Sequence, residues 1–218
     1  METFEAVTAT IAITLGVGWA SGINLYAAML SLGLMQRLGY ATLPAGLEVL
    51  ADPLVIAAAA LMYAVEFVAD KTPGVDTGWD AIHTFVRLPA GAILAMGATG
   101  GVGAAGELAA AIVGGGMAAG SHSMKAGGRA MINTSPEPFS NWTASITEDI
   151  AVICGLWAAL NHPWLFLIAL ACFIALMIWL LPRIWQGLKA LVRRFASLFG
   201  GGSSNDGEQP ERLPRNDH

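Results

Sequence analysis

The stretch EFVADKTPGVDTGWD, Glu66 to Asp80, sets four acids and one lysine into fifteen residues, directly after the uncharged run PLVIAAAALMYAV. Glu66 and Asp70 are four apart, so on a helix they share a face and their like charges oppose each other. Asp76 and Asp80 repeat that spacing around the turn TPGVDTG. Carboxylates crowded in this way are held by counter-charges, by a metal ion or by shared protons. Lys71 offers one counter-charge. Glu66 stands about a turn inside the apolar run, and an ionisable residue at membrane depth points to function. Asp76 reads as an acid in a solvated loop. His83 follows Asp80 by three residues and precedes Arg87 by four, so all three can line one helical face. A hydrogen-bonded histidine at the interface is the plainer reading of His83. A proton relay is the sharper one, as is a metal site drawing on Glu66, Asp70, Asp80 and His83.

A second polar string, KAGGRAMINTSPEPFSNWTASITED, runs from Lys125 to Asp149. Lys125 and Arg129 are four apart on a helix end. SITED has the form of a capping box, with Ser145 as cap and Glu148 as its partner. Asp149 then falls in the first turn of the next helix, where the helix dipole favours an acid. Asn24 (SGINLY) and His122 (GSHSMK) both lie in glycine-rich apolar segments. They could contact a solute or satisfy backbone groups freed by helix breaks. The chain has no HExxH, GxSxG, Walker loop or CxxCH motif.

The elements that position these residues must be membrane helices. The chain is 55% hydrophobic and 12% charged, where a soluble domain carries about 25% charged residues. Its mean hydropathy is +0.59. Its 26 glycines suit transmembrane helices, in which glycine is common. Cys154 and Cys172 stand in apolar runs and act as small hydrophobes. The net charge of −5 argues against a nucleic-acid partner.

A span needs about 20 apolar residues. Residues 6–36 are thirty-one without a formal charge, too long for one straight span and weakened by GVGWASG; they predict a long, broken or strongly tilted first passage. Further passages are expected at about 53–69, 82–98, 103–124 (interrupted by GGG at 114–116), 143–160 and 163–181. Six passages put both termini on one side. With that side cytoplasmic, Lys71, Arg87, Lys125, Arg129 and the basic residues from Arg183 to Arg194 lie inside, and only Arg37 outside. Residues 1–182 form the membrane domain. Residues 183–199 form a basic amphipathic helix suited to an anionic leaflet, and 200–218 a disordered tail.

GWASG (Gly18 to Gly22) matches GMAAG (Gly116 to Gly120) at an offset of 98, and Asp52 falls over Asp149 at an offset of 97. A duplication of about 10–98 onto 103–182 makes an inverted repeat of three plus three, the architecture of many transporters, whose sites lie at broken helices. The bland alternative is close packing of small-xxx-small pairs.

GINLYA (Gly22 to Ala27), EFVADKTPGVDTGWDAIHTFVRLPAG (Glu66 to Gly91) and KAGGR…NTSPEPFSN with the following ED resemble the bacterial membrane family catalogued as domain of unknown function 4126, over roughly residues 10 to 182. The resemblance implies a polytopic inner-membrane protein and assigns no substrate, cofactor or residue role.

The expected protein is all-α and polytopic, with about six transmembrane helices. It moves a small ion or solute. Glu66, Asp70, Asp80 and Asp149 bind a cation or carry protons, and Asn24 and His122 sit at the helix breaks. Lys71, Arg87, Lys125 and Arg129 balance the charge. Its partners are the lipid bilayer, a small cation or proton, and a further copy of the chain as an open option. Alternatives are a membrane-embedded enzyme acting on a lipid, with Asp80 and His83 as acid–base or metal-binding groups, and a non-catalytic scaffold.

Overall fold

The computed structural model describes residues 2–72, 74–134 and 138–199. They form α1 (Glu2–Arg37), a short 3-10 helix (Ala45–Ala51), α2 (Pro53–Ala69), α3 (Val75–Ala98), α4 (Ala104–Ile132), α5 (Pro138–Asn161) and α6 (Pro163–Phe199), with no strand among the described residues. Proline opens α2, α5 and α6, where its fixed φ and missing N–H suit the first helical position. Asp52 caps α2 by accepting from the Leu54 N–H at 2.7 Å.

The helices alternate in direction between two ends. At the first end α2, α4 and α6 begin; at the other, α3 and α5 begin. α3 and α4 run antiparallel along their length, from the Gly91–Ala118 contact to the bond between Asp76 and Asn133. α1 is different. Asn24 has φ −148° and ψ 97°, outside helical geometry, and its Oδ1 accepts from the Ala27 N–H at 2.9 Å, capping the second arm as a helix N-cap does. The first arm passes Ala159 at Gly16 and Gly155 at Trp19, antiparallel to α5. The second arm returns along α2, until Gly33 lies against Leu50 and Ile56. Phe4 packs on Trp164, with ring centroids 5.6 Å apart. Both ends of α1 therefore stand at the first end, and its bend reaches into the bundle.

Small residues let the arms come this close. A Cβ on Gly18 would lie 2.8 Å from the Gly114 backbone, and one on Gly114 would lie 2.1 Å from the Ala95 methyl. Around them Val17, Ala20, Leu32, Ala95, Ala118, Val152 and Leu156 form the buried apolar core.

Several expectations need correction. The GGG at 114–116 does not interrupt α4, which runs through it as one continuous helix; Gly114 serves close packing against Ala95 there. α3 begins at Val75 and α5 at Pro138, so Ser145 and Asp149 lie inside α5 and form neither a cap nor a first turn. Residues 183–199 continue α6 without a break, through Pro182. The tail at 200–218 lies outside the described residues. Among the described residues four helices are long and apolar enough to cross a membrane, or five if the bent pair of the 3-10 helix and α2 counts as one span. The halves do not match: α1 is bent where α4 is straight, and Asp52 is an exposed cap where Asp149 is buried. The described ends of the chain are also apart. Phe4 is at the first end, while Ile184 and Gly187 on α6 meet Gly127 and Met131 at the other.

Candidate ion-binding site

Buried positions recur every three or four residues on α3 (Asp76, Asp80, His83, Arg87), on α4 (His122, Lys125, Arg129) and on α5 (Asn141, Ser145, Asp149). That spacing keeps one face of each helix toward the others. Unusually, the inward face is apolar in the first-end half of the bundle and charged in the other. The end of α2 closes the charged half with Glu66 and Asp70.

Three cations bind four carboxylates there. Arg87 Nη2 meets Glu66 Oε1 at 2.5 Å, and its Nη1 meets Asp80 Oδ1 at 3.1 Å. Lys125 Nζ meets Asp70 Oδ2 at 2.7 Å and stands 3.4 Å from Glu66, 3.6 Å from Glu148 and 3.9 Å from Asp80. Arg129 grips Glu148 through Nη2 at 2.8 Å and Nε at 3.4 Å, and donates to the Asp70 carbonyl at 2.6 Å. The side chains are 0–2% exposed except Glu148, at 20%. Glu66 Oε2, Asp70 Oδ1 and Asp80 Oδ2 have no hydrogen-bond partner. Three cations therefore stand against four carboxylates in the cluster, with Lys71 and Asp149 at its margin.

Asp149 stands one step away, at the bend of α1. It accepts from Asn24 Nδ2 and from the Tyr63 hydroxyl, both at 2.9 Å. Lys71 is near but not paired with it: its Nζ donates to Ser145 Oγ at 3.2 Å and lies over the Phe67 ring. Burial pushes the Lys71 ammonium below the ordinary lysine range, while Asp149 and Asp70 pull it back. The arms of α1 touch the cluster too, since the Gly22 carbonyl lies 3.5 Å from Arg87 Nη1.

Asp76 is fully buried, against the expectation of a loop acid. It accepts from the backbone of Gly74 and Thr77 and from Asn133 Nδ2 at 2.8 Å, and Asn141 donates to Asn133 in turn. His122 accepts at Nδ1 from Arg87 at 3.0 Å and bonds Thr84 Oγ1 through Nε2 at 2.7 Å. Thr84 gives its own proton to the Asp80 carbonyl, so the ring is the neutral Nε2–H tautomer. His122 therefore serves the charged cluster and no helix break. His83 shares the buried face with Asp80 and Arg87, yet bonds the Trp79 carbonyl at 3.0 Å and the Tyr26 hydroxyl at 3.4 Å, and stacks on Trp79. Among the described residues no three His, Cys, Asp or Glu side chains converge as metal ligands. Glu66, Asp70 and Asp80 face ammonium and guanidinium groups, and His83 is turned away.

The structure brings together Glu66, Asp70, Asp80, Arg87, Lys125, Arg129 and His122, with Asn24 and Asp149 beside them. Lys71 stays at the margin. Sequence reasoning passed over Glu148 and Tyr63 as site residues. Tyr63 was legible as the residue one turn before Glu66, whereas Glu148 was assigned to the capping box.

No curated protein and no solved structure matches the chain. The family model described as Domain of unknown function (DUF4126) matches residues 11–183, taking in all the helices that build the cluster, and the chain belongs to that family.

Proposed function

We propose that the protein carries a small monovalent cation, the proton included, across a membrane, with the charged cluster as its binding site. One observation supports this above all: three buried carboxylates and the partly exposed Glu148 face three cations, and Glu66, Asp70 and Asp80 each keep an unpartnered oxygen. An uncompensated charge in a low-dielectric interior costs several kcal/mol, so a single mobile positive charge is what this site would hold. The bend of α1 fits the same reading, because broken helices line solute paths in many transporters. Basic residues near the cluster's end of the bundle suggest that this end faces the cytoplasm of an inner-membrane protein.

The test is flux into proteoliposomes under a set potential, read with a pH-sensitive dye and with labelled Na⁺ and K⁺. Wild-type protein should carry at least one of these ions. Glu66→Gln keeps a partner for Arg87 but leaves three acids against three cations, so it should fold and lose the flux. No flux of any of the three ions, or undiminished flux in Glu66→Gln, would overturn the reading.

The pairing inside the cluster favours one second reading. Each of its charged groups has an intramolecular partner, as a rigid scaffold would need. On that reading Glu66→Gln changes stability while no ion crosses in either protein.

A further inference from the structure

Residues 183–199 do not make a separate helix lying flat on the membrane; they continue α6 in line with its span. Of the four helices that could cross a membrane, α6 is the most apolar and the least covered, with 11% of its most apolar stretch buried. That span, Pro163–Ala190, has 28 residues. It is about 42 Å long at 1.5 Å per residue, against about 30 Å for the hydrocarbon core. Exposed tryptophans show where the surplus falls. Trp164 is 52% exposed and Trp185 60%. The rise between them is about 31 Å, which matches the distance between the two interfaces that tryptophan prefers. The turns after Trp185 therefore stand at headgroup level. On its inner side α6 is held by α4, where Met177 lies against Gly120, Ile184 against Gly127 and Gly187 against Met131. The sides turned away from α4 carry Arg183, Lys189 and Arg193, all exposed. Arg183 lies over the Trp179 ring at 3.7 Å, and Lys189 over the Trp185 ring at 5.1 Å. Residues 163–199 contain no acid to neutralise these charges.

We propose that α6 from Trp179 to Arg193 is a binding site for the headgroups of anionic phospholipids. The phosphodiester of such a lipid meets Arg183, Lys189 and Arg193, and the indoles beside them offer N–H donors. Its acyl chains lie along the exposed apolar face of α6 toward Trp164. A zwitterionic headgroup brings an ammonium of its own, which these cations repel. Each basic residue close to an anionic surface strengthens binding about fivefold, so three of them select for net negative charge. Headgroup binding here does not depend on any ion crossing the protein.

The preference can be read at the site itself. With Cys154 and Cys172 replaced by alanine, Gln186→Cys places a thiol on an exposed position between Trp185 and Lys189, and a bimane is attached to it. The full chain is reconstituted in phosphatidylcholine bilayers. These contain a small, equal fraction of either phosphatidylglycerol or phosphatidylcholine with a nitroxide near the head of its acyl chain, which quenches the bimane on contact. Leu165→Cys, on the same helix at the first end and 60% exposed, is the reference position. We expect phosphatidylglycerol to be preferred at least fivefold at Gln186→Cys, with the preference shrinking in high salt. At Leu165→Cys the two lipids should quench alike. Arg183→Gln, Lys189→Gln and Arg193→Gln together should bring Gln186→Cys to near parity. All three side chains are exposed, and the unfolding midpoint checks that the fold is kept. Equal quenching by the two lipids at Gln186→Cys would overturn the site, as would a preference that survives loss of the three cations. An equal preference at Leu165→Cys would reduce it to a property of the whole lipid annulus. Quenching by neither lipid would place the stretch beyond the headgroups, open to a soluble acidic partner, and would overturn it as well.

Discussion

Arg87 ties the cluster to the bend of α1. It pairs with Glu66 and Asp80, donates to His122 and reaches the carbonyl at the bend of α1. Removing one partner of a buried ion pair strands the others, at a cost of about 3–5 kcal/mol. Arg87→Leu should therefore lower stability by about that much in detergent, as read by denaturant unfolding. Arg87→Leu combined with Glu66→Leu should recover part of the loss, since apolar replacement of a whole pair is often neutral. Asn24 allows a more discriminating check. Asn24→Ala loses a cap, worth about 1 kcal/mol, and takes a donor from Asp149. Asn24→Asp keeps the cap but sets a carboxylate against Asp149, so it should be the worse of the two, and Asp149→Asn should rescue it. Equal effects of Asn24→Ala and Asn24→Asp, with no rescue, would show that the Asn24–Asp149 bond matters little. At this scale part was legible: the crowding of Glu66 and Asp70 called for counter-charges, a metal ion or shared protons, and the structure sets Arg87, Lys125 and Arg129 against them. Asp76 was not legible, because its burial depends on Asn133 and Asn141 from the far side of another connection.

Among the elements, α1 and α4 show why glycine patterns mislead. A run of three glycines and the GWASG motif look alike as sequence, and both suggest broken helices. The break falls at Asn24, where a side chain can cap the next arm, and not at 114–116, where Gly114 lets α1 and α3 approach α4. The packing role can be tested by contrast. Gly18→Val would push a side chain into the Gly114 backbone and should cost about 1–3 kcal/mol or more, as overpacking does. Gly116→Ala meets nothing within 4 Å and should stabilise the helix by about 0.5–1 kcal/mol. Thermal unfolding in one detergent ranks the two. A Gly18→Val protein as stable as wild type would mean that α1 does not seat on α4 as described. Starts of helices were read best at Pro53 and Pro163, each directly before an apolar run. They were read worst at α3 and α5, whose polar first turns look like loops even though Pro138 opens α5.

For the whole molecule, the turn-back of α1 bears on topology. With both ends of α1 at the first end of the bundle, Phe4 on α1 and Gly187 on α6 stand at opposite ends of it, where the six-passage expectation put both termini on one side. Fusion of a reporter active only outside the membrane should report outside from the N-terminus and inside from the C-terminus, if the charged end faces the cytoplasm. The same location for both fusions would restore a first helix that spans. The sequence showed that the first apolar stretch was too long for a simple span. It did not show the direction after the break, because that is set by contacts with α2 and α5 far along the chain.

The burial of α1 also bears on how the protein is made. In its most apolar stretch 67% is covered by the rest of the protein, against 11% for α6. The segment that leaves the ribosome before α2 to α6 is thus the one most dependent on them. Its bend exposes backbone groups and an amide that lipid cannot satisfy, and Asp149, Tyr63 and Arg87 do not yet exist when it meets the membrane. Insertion must hold α1 back, at the interface or beside an insertase, until α2 to α5 have arrived to receive it. Chains truncated before α5 should remain protease-sensitive in α1 and be cleared by quality control, and release of the arrested chain past Asp149 should be the point at which protection begins.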